Sequence, residues 1–526
     1  MWVISRLASQ STPLRCPIAQ RQIGEHSHLT RMQRPVLPRE RLKMANAIEP
    51  ESESAKQICY RYLLTGYRPN LTLREIMNLS SSIRFIEPLR ELTVIDNADV
   101  IIVGGGAGGI GAAISAARCG AKTILIERFG TLGGTWTSGL LSAIMVNWTA
   151  RGIFEEFRRK LAERGAWKEI RHSWNYWGGD QPPQDPASYE GTYDAEAAKI
   201  ILEEMASASG VRIYYFAQVV HVFKSEDGRR ITGVAIQSKE GRHVITGRVF
   251  VDSSGDGDLF ALAGANFEAG RTTDGALQPM TMIFKLDNVD TERASSYLAT
   301  DGNCRQAWQA AKSKGEVTVP REDVLLNPTP KPGQWQFNST RVIGYDGTKL
   351  KDVSAATLEA RHQVAEVTTF MRRHIPGFEN AILAESASHI GVRETRRCKC
   401  DYTITGEDIA LCKKHTDVIA RGNWPVDIHN PNGGGTEVKP IKNGEWYEIP
   451  YRSTTAHGFD NLFVASRCLD STHEGHAAVR ASPQVCAIGQ GVGAAAAQMI
   501  ARNLPDVRSV DIHQVQESLR ASGALV

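Results

Sequence analysis

The sequence has no long apolar run and no excess of charge of one sign. Nowhere in its 526 residues is there a stretch approaching the roughly 18 apolar residues that a membrane-spanning helix needs, so we expect no integral membrane segment. The 61 lysines and arginines are balanced by 58 aspartates and glutamates, which gives a net charge of +3. A dedicated nucleic-acid binder normally concentrates basic residues on one face, and this balance therefore argues against a nucleic-acid partner.

Cysteine is also sparse. The nine cysteines are scattered and odd in number, which does not suit a disulfide framework and indicates a reducing compartment. The one cluster contains Cys398, Cys400 and Cys412, for which His415 is the nearest fourth metal ligand. Unliganded thiols explain this cluster more simply than zinc does, and we predict no metal site.

The N-terminal 43 residues differ in charge from the rest of the chain. They carry a net charge of +6, so residues 44–526 carry −3. Polar residues interrupt the first apolar ones, which leaves no apolar core of a secretory signal. The arginine-rich, acid-poor composition is compatible with a mitochondrial transit peptide, and a disordered tail or a later start codon explains it equally well. We expect a cytoplasmic protein, with mitochondria as the alternative, and a helical N-terminal extension over residues 44–95.

The most informative segment begins at Val100. The β-branched run at residues 100–103 predicts a buried parallel strand, and the GGGAGG run at residues 104–109 leads into an alanine-rich helix. A second apolar run ends at Glu127. In this arrangement the glycines let the backbone turn tightly and approach a pyrophosphate, the helix N-terminus attracts its charge, and the acid accepts hydrogen bonds from ribose. The ligands of the dinucleotide site predicted by this pattern are Gly104, Gly106, Ala107, Gly109, Glu127 and Arg128.

Three later segments extend this predicted site. A glycine pair soon after the ribose acid is unusual for NAD enzymes and favours FAD. An apolar strand at residues 248–252 leads to a Gly-Asp pair, and an acid at the end of a strand can hold ribityl or ribose hydroxyls. The apolar strand at residues 461–467 precedes a helix of small residues, whose N-terminal end offers positive potential to a reduced flavin. The additional predicted ligands are Gly133, Gly134, Thr135, Asp252, Gly255, Asp256, Arg467 and Pro483.

Taken in order, these motifs resemble the FAD-dependent oxidoreductases related to the succinate dehydrogenase and fumarate reductase flavoproteins. The resemblance covers residues 97–505 and includes the segments VIIVGGGAGGIGAAISAARCGAKTILIER, GGTWTSGLL, VFVDSSGDGDLFALAGA, HIGVRETRR and DNLFVASR. Ser466 departs from the family, whose last strand usually ends in Ala-Gly-Arg. In the fumarate reductase branch a histidine near the glycine pair can bond covalently to FAD; residues 129–150 contain none, so we expect noncovalent FAD.

The resemblance implies an α/β protein with a Rossmann-like FAD-binding domain of the glutathione-reductase type and an inserted α+β substrate domain. The FAD-binding domain would consist of residues 96–265 and 456–505. The substrate domain would occupy residues 266–455. Residues 506–526 would form a C-terminal helix or tail.

Histidines and arginines near the expected flavin are the candidate chemical groups. His473 and His476 are predicted to be catalytic, because histidine exchanges a proton near neutral pH, although both could simply hydrogen-bond the chain or the flavin. Arg393 and Arg396 are predicted to act on the substrate, because the guanidinium fork suits a carboxylate or phosphate. The alternative for the arginines is a basic stretch with internal salt bridges. Neighbouring or weaker pocket candidates are His389, Glu394, Arg397, His429, Tyr451 and Arg452.

The function predicted from these residues is hydride transfer between flavin N5 and a small organic substrate, which the arginines suit if it is anionic. The electron acceptor is left open. An FAD-dependent monooxygenase using NAD(P)H is the alternative, although the sequence contains no second strand–GxGxxG–helix unit for that nucleotide. A flavin-binding protein without enzymatic activity is a third and weaker hypothesis.

Overall fold

The structure is a computed structural model that describes residues 87–145, 148–170, 190–442 and 444–526. The predicted N-terminal tail and most of the predicted helical extension at residues 44–95 lie outside these ranges. The chain divides between Leu89 and Arg90, and the fold is that of the second unit, Arg90–Val526. Val94, near the end of the predicted extension, already belongs to the first strand.

Strands and helices both occur throughout the described residues, which confirms the α/β class. The strands are β1 (Val94–Val103), β2 (Thr123–Ile126), β3 (Ala143–Ile144), β4 (Trp167–Glu169), β5 (Gly191–Tyr193), β6 (Arg212–Tyr214), β7 (Gln218–Lys224), β8 (Ile231–Ser238), β9 (Gly241–Asp252), β10 (Phe267–Ala269), β11 (Phe284–Asp287), β12 (Leu326–Pro328), β13 (Trp335–Phe337), β14 (Ile382–Ser386), β15 (Arg396–Cys398), β16 (Val418–Gly422), β17 (Val426–His429), β18 (Thr436–Lys439), β19 (Tyr447–Pro450) and β20 (Leu462–Val464). The helices are α1 (Ala107–Arg118), α2 (Ile153–Glu163), α3 (Ala195–Ala208), α4 (Asp258–Ala263), α5 (Thr291–Leu298), α6 (Arg305–Ser313), α7 (Leu350–His374), α8 (Gly406–Ala410), α9 (His473–Val479), α10 (Ser482–Ala501) and α11 (Ile512–Ala521).

The largest sheet carries the glycine motif. Its strands lie in the order β6-β2-β1-β9-β8-β7, with β20 also paired to β9. Strands β6, β2, β1, β9 and β20 are parallel to one another. Strand β8 pairs antiparallel with β9, and β7 pairs antiparallel with β8. Val103 pairs with both Ile126 and Asp252, and Asp252 pairs with Val464. The carboxyl ends of β1, β2, β9 and β20 are therefore level, and nucleotide ligands bind at such an edge in open parallel sheets.

Helix α1, which follows the glycine turn, packs against helix α10 near the C-terminal end of the chain. Both are apolar on nearly every side, and each buries most of its residues. Glycines allow them to approach closely, because a Cβ at Gly489 would collide with the Gly108 carbonyl oxygen and one at Gly493 with that of Ala112. The prediction that small residues near the C-terminal end permit close packing is confirmed in these contacts.

The buried apolar residues form two separate cores. The first surrounds the large sheet and also includes residues from Cys398 to the C-terminus. The second lies mostly between Met280 and Ile390, around helix α7 and the antiparallel sheet β12-β13-β11-β14. The chain thus returns to the first core at about residue 398. The predicted limits of the substrate domain, 266 and 455, stay a prediction. The two cores indicate that the chain rejoins the first core before residue 455.

Candidate active site

The glycine turn after β1 leaves the N-terminus of α1 open to a cavity. Gly104 has φ of +99°, a conformation that favours glycine, and a Cβ there would come within 2.6 Å of Ser254 Cα. Gly106 precedes α1, and no atom lies within 4 Å of the position a Cβ would take. Gly106, Ala107 and Gly108 line the cavity. The free N–H groups of the first helical turn are therefore placed to bind an anion.

Glu127, directly after β2, connects this turn to the next segment. Its side chain is buried, with Oε2 accepting a hydrogen bond from Gly105 N–H and Oε1 accepting one from Phe129 N–H, both at 2.7 Å. Burial raises the pKa of Glu127, while the two backbone hydrogen bonds oppose that effect. Because Glu127 also lines the cavity, its carboxylate both shapes the glycine turn and has lone pairs left for a ribose.

Replacing Glu127 by alanine is expected to weaken FAD binding by about 1.5–3 kcal/mol, or roughly 10- to 150-fold in Kd, because ribose loses a charged acceptor. The apoprotein should also lose about 1–3 kcal/mol of stability, since two backbone N–H groups lose their partner. Fluorescence titration with FAD and urea unfolding measure the two effects. Glu196→Ala, at an exposed position on α3, is the control. An unchanged Kd in Glu127→Ala would mean that this carboxylate does not contact the cofactor.

Two acids follow β9, and they occupy different environments. Asp252 is fully buried, where it accepts hydrogen bonds from the N–H groups of Ser254 and Phe260, and burial raises its pKa to about 6. Asp256 lines the cavity and accepts a hydrogen bond from Arg467 Nη2 at 2.6 Å. Asp252 therefore supports the turn into α4, and Asp256 is the acid that borders the cavity.

Most of the predicted cofactor ligands line this one cavity. Those that line it are Gly104, Gly106, Ala107, Glu127, Arg128, Gly134, Thr135, Gly255, Asp256, Arg467 and Pro483. The three outside the lining are Gly109, Gly133 and Asp252. Gly133 still contributes indirectly, because its N–H donates to the Gly105 carbonyl oxygen and holds the second loop against the first.

The two predicted catalytic histidines lie behind the cavity wall. His473 is buried, with Nδ1 3.0 Å from Oε1 of Glu394. Burial lowers the pKa of His476 well below its ordinary value, and the nearby Arg397 adds to this effect. Neither histidine is among the residues that line the cavity. Their catalytic role stays a prediction, without a cavity contact to support it.

The predicted arginine cluster divides in the same way. Arg396 donates to the Asp256 carbonyl oxygen and pairs with Asp258, both at 2.7 Å, and it is absent from the cavity lining. Arg397 forms a buried ion pair with Glu394. Arg393 alone of these arginines borders the cavity. Among the weaker candidates, Tyr451 is buried with its hydroxyl bonded to a backbone carbonyl, and Arg452 pairs with Asp417.

Further charged residues border the cavity beside Arg393. They are Arg321 from a loop, Asp427 from β17 and Arg480 from just after α9, and the His429 side chain, also on β17, borders the cavity beside them. Arg480 and Asp427 form an ion pair at 3.0 Å. Sequence reasoning missed Arg321, Asp427 and Arg480, because the first two stand in unremarkable segments. Arg480 had one signal, its position just before the small-residue helix.

His429 is neutral in this setting. Burial lowers its pKa to about 3, and the positive charge of Arg393 contributes. Its Nδ1 lies 3.2 Å from Arg341 Nη2. A guanidinium can only donate, so Nδ1 is the acceptor and the proton of the neutral ring resides on Nε2, toward Asp427. His429 therefore supports the neighbouring charged groups and is not a free base.

Apolar side chains form much of the rest of the lining. It includes Leu141, Ile144, Ile283 and Trp424, together with the first turn of α10. His389 also borders the cavity, with its ring stacked on Phe129 at 4.9 Å. Burial lowers the pKa of His389, so this ring too favours its neutral form.

A level parallel-sheet edge, an open glycine turn and a buried acid after β2, all facing one cavity, define a dinucleotide-binding protein of the Rossmann type. The site fits FAD in particular, because a second acid, Asp256, and a second helix N-terminus, that of α10, border the same cavity. The model of the FAD dependent oxidoreductase family matches residues 99–519, and the chain belongs to this family. It is an enzyme whose cofactor is FAD.

Similar proteins include several reductases. A vinyl phenol reductase of Lactiplantibacillus plantarum is 27% identical over 251 residues, which cover 41% of this chain and 46% of that protein. A leghemoglobin reductase of Glycine max is 60% identical over 40 residues, or 8% of each chain. The chain thus spans less than half the length of these curated relatives.

The solved structures that match this chain are more distant in sequence. The p-nitrophenol 4-monooxygenase of Pseudomonas putida DLL-E4 has a TM-score of 0.43 and 12% identity, covering 82% of this chain and 89% of that chain. The L-proline dehydrogenase of P. horikoshii has a TM-score of 0.38 and 11% identity, covering 82% of this chain and 100% of that chain.

The described residues also show whether the chain offers a membrane span or a metal site. Over the described residues, no helix combines the length and apolar character needed to cross a membrane. In the same part of the chain, which includes Cys398, Cys400, Cys412 and His415, no group of three or more His, Cys, Asp or Glu side chains is arranged to hold a metal ion.

Proposed function

We propose that the enzyme transfers a hydride between a small organic substrate and its FAD. When bound, FAD supplies a hydride acceptor or donor at flavin N5. The observation that carries this proposal is the single cavity that joins the glycine turn at Gly106 to the charged group around Arg393. A cofactor and a substrate can therefore share one chamber, as direct transfer between them requires.

The chain's own groups would bind and orient both molecules. The N-terminus of α1 would hold the phosphates, Glu127 a ribose, and Asp256 the ribityl hydroxyls. The N-terminus of α10, which begins at Ser482, would stabilise negative charge on the reduced ring system. The apolar side chains of Leu141 and Ile283 would exclude water from the middle of the cavity.

An anaerobic screen of organic substrates, followed by the visible absorbance of the flavin, tests the proposal. The purified protein should be yellow, and acid should release free FAD, because no histidine stands in residues 129–150 to attach it. A substrate should bleach the flavin without any nicotinamide nucleotide. Two results together would contradict direct transfer and favour the monooxygenase alternative. NADPH would bleach the flavin rapidly, and faster when an aromatic compound is present, while no substrate would bleach the flavin without NADPH.

A further inference from the structure

Three arginines, Arg321, Arg393 and Arg480, form what we call the arginine cluster of the cavity. All three line it, and they lie close enough for Arg321 and Arg480 to disfavour the charged form of Arg393. They come from a loop, from the segment before β15 and from the junction of α9 and α10. Their convergence is a property of the fold and not of any local motif.

Arg393 is a buried cation that has no carboxylate partner of its own. Its Nη1 donates to the Pro279 carbonyl oxygen at 2.7 Å, and within the described ranges it forms no ion pair with a carboxylate. Burial lowers the pKa of Arg393 well below its ordinary value, and the charges of Arg480 and Arg321 add to the effect, whereas the charge of Asp427 opposes it. A buried, unpaired charge is costly, so this guanidinium has a strong need for an anion.

The other two members also retain unused donors. Arg480 pairs with Asp427 at 3.0 Å, yet its buried Nε has no partner in the described part of the chain. Arg321 is only 4% exposed, its contact with Asp323 is 3.6 Å long, and its Nε likewise lacks a partner there. Because buried polar groups are normally hydrogen-bonded, neither of these two cavity-lining cations is fully satisfied by its protein neighbours.

The nearby acids are already engaged. Asp427 lies between Arg480 and His429. Burial favours the neutral form of Asp427, but His429, Arg480 and Arg393 outweigh this effect and lower the pKa of Asp427. Glu322 pairs with Arg341 and accepts from the Gly435 N–H. Asp427 attracts Arg393 but forms its ion pair with Arg480, so among the described residues Arg393 has no carboxylate to itself.

We propose that the arginine cluster binds a carboxylate of the substrate, which makes the substrate an organic acid. This inference rests on the proposed function and specifies its substrate class. A guanidinium fork matches the two oxygens of a carboxylate, and one carboxylate balances the single charge of Arg393. The apolar neighbours Ile283 and Leu325 suit a carbon skeleton. The FAD phosphates have their own site at α1.

Titration of the FAD-loaded enzyme with simple anions tests the proposal without turnover. The probes are succinate and benzoate, their neutral amides succinamide and benzamide, and inorganic phosphate, each followed by the visible spectrum of the flavin. We expect a saturable change with at least one carboxylate and none with its amide. Arg393→Gln should raise the Kd of that carboxylate about 10- to 100-fold while FAD content is retained. Arg293→Gln, at an exposed pair with Glu379, is the matched control.

Several outcomes would overturn the carboxylate assignment: no response to either carboxylate, amides that bind as well as acids, tighter binding of phosphate, or an equal Kd in Arg393→Gln. If Arg393→Gln does not accumulate, Arg393→Lys serves in its place, since it keeps the charge but loses the fork, and its Kd should rise by a smaller factor. A carboxylate that binds as expected while no organic acid ever bleaches the flavin would support this subsite and contradict hydride transfer.

Discussion

Gly106→Ala is expected to lose FAD and keep its fold, whereas Gly108→Ala, two residues away, is expected to lose stability. The backbone at Gly106 has φ of −70°, which alanine adopts without strain, and the added Cβ would meet no atom within 4 Å. The methyl group would instead enter the space that a pyrophosphate needs. FAD affinity should fall at least about 100-fold, since charge-assisted hydrogen bonds from the helix N-terminus are lost.

The Cβ in Gly108→Ala would meet protein instead of open space. It would collide with the carbonyl oxygen of Ala465 and lie 3.1 Å from Val485. Forcing this backbone apart should destabilise the apoprotein by about 1–3 kcal/mol.

Urea unfolding of the two apoproteins and fluorescence titration with FAD separate these effects. Gly302→Ala is the control, because Gly302 has an ordinary φ and open space around the position of an added Cβ. Gly120 also has open space, but its positive φ would strain an alanine. Equal FAD affinity in Gly106→Ala and the wild type would contradict the phosphate site. Equal stability of Gly108→Ala and the wild type would contradict the tight contact between α1 and the loop after β20.

The parts of the site that could be predicted are those encoded by short, continuous segments. The strand before Gly104, the helix after it and the acid at Glu127 are neighbours in sequence, and their spacing alone determines their geometry. The FAD cofactor and the α/β class followed from these segments and were confirmed. The small-residue helix was predictable for the same reason, because glycines spaced along a helix indicate close packing.

The site residues that could not be predicted are those whose role depends on which side of a short segment faces the cavity. Asp252 and Asp256 are four residues apart, yet only Asp256 borders the cavity, because Asp252 accepts hydrogen bonds from the backbone N–H groups of Ser254 and Phe260. The HIGVRETRR segment sends Arg393 to the cavity and Arg396 to Asp258. No periodicity marks this difference, since tertiary contacts with other segments decide it.

Glu394→Ala is expected to cause the largest loss of stability of any single charge removal considered. Glu394 is fully buried, and it pairs with Arg397, whose side chain is only 1% exposed. It also lies 3.0 Å from His473 Nδ1. Removing it would leave the buried Arg397 uncompensated, which costs about 3–5 kcal/mol. Urea unfolding measures the loss, and Glu379→Ala, which breaks an exposed pair with Arg293, should cost at most about 1 kcal/mol.

The effect should also reach the substrate side of the cavity, because Glu394 adjoins the arginine cluster. Glu394 Oε2 accepts a hydrogen bond from the backbone N–H of Gln278, and the side-chain oxygen of Gln278 accepts one from the backbone N–H of His429. Glu394→Gln keeps the shape of the side chain, so it should fold better than Glu394→Ala and still bind carboxylates more weakly than the wild type. A Glu394→Gln enzyme with wild-type stability and wild-type carboxylate affinity would show that neither the charge nor this chain of hydrogen bonds positions the cluster.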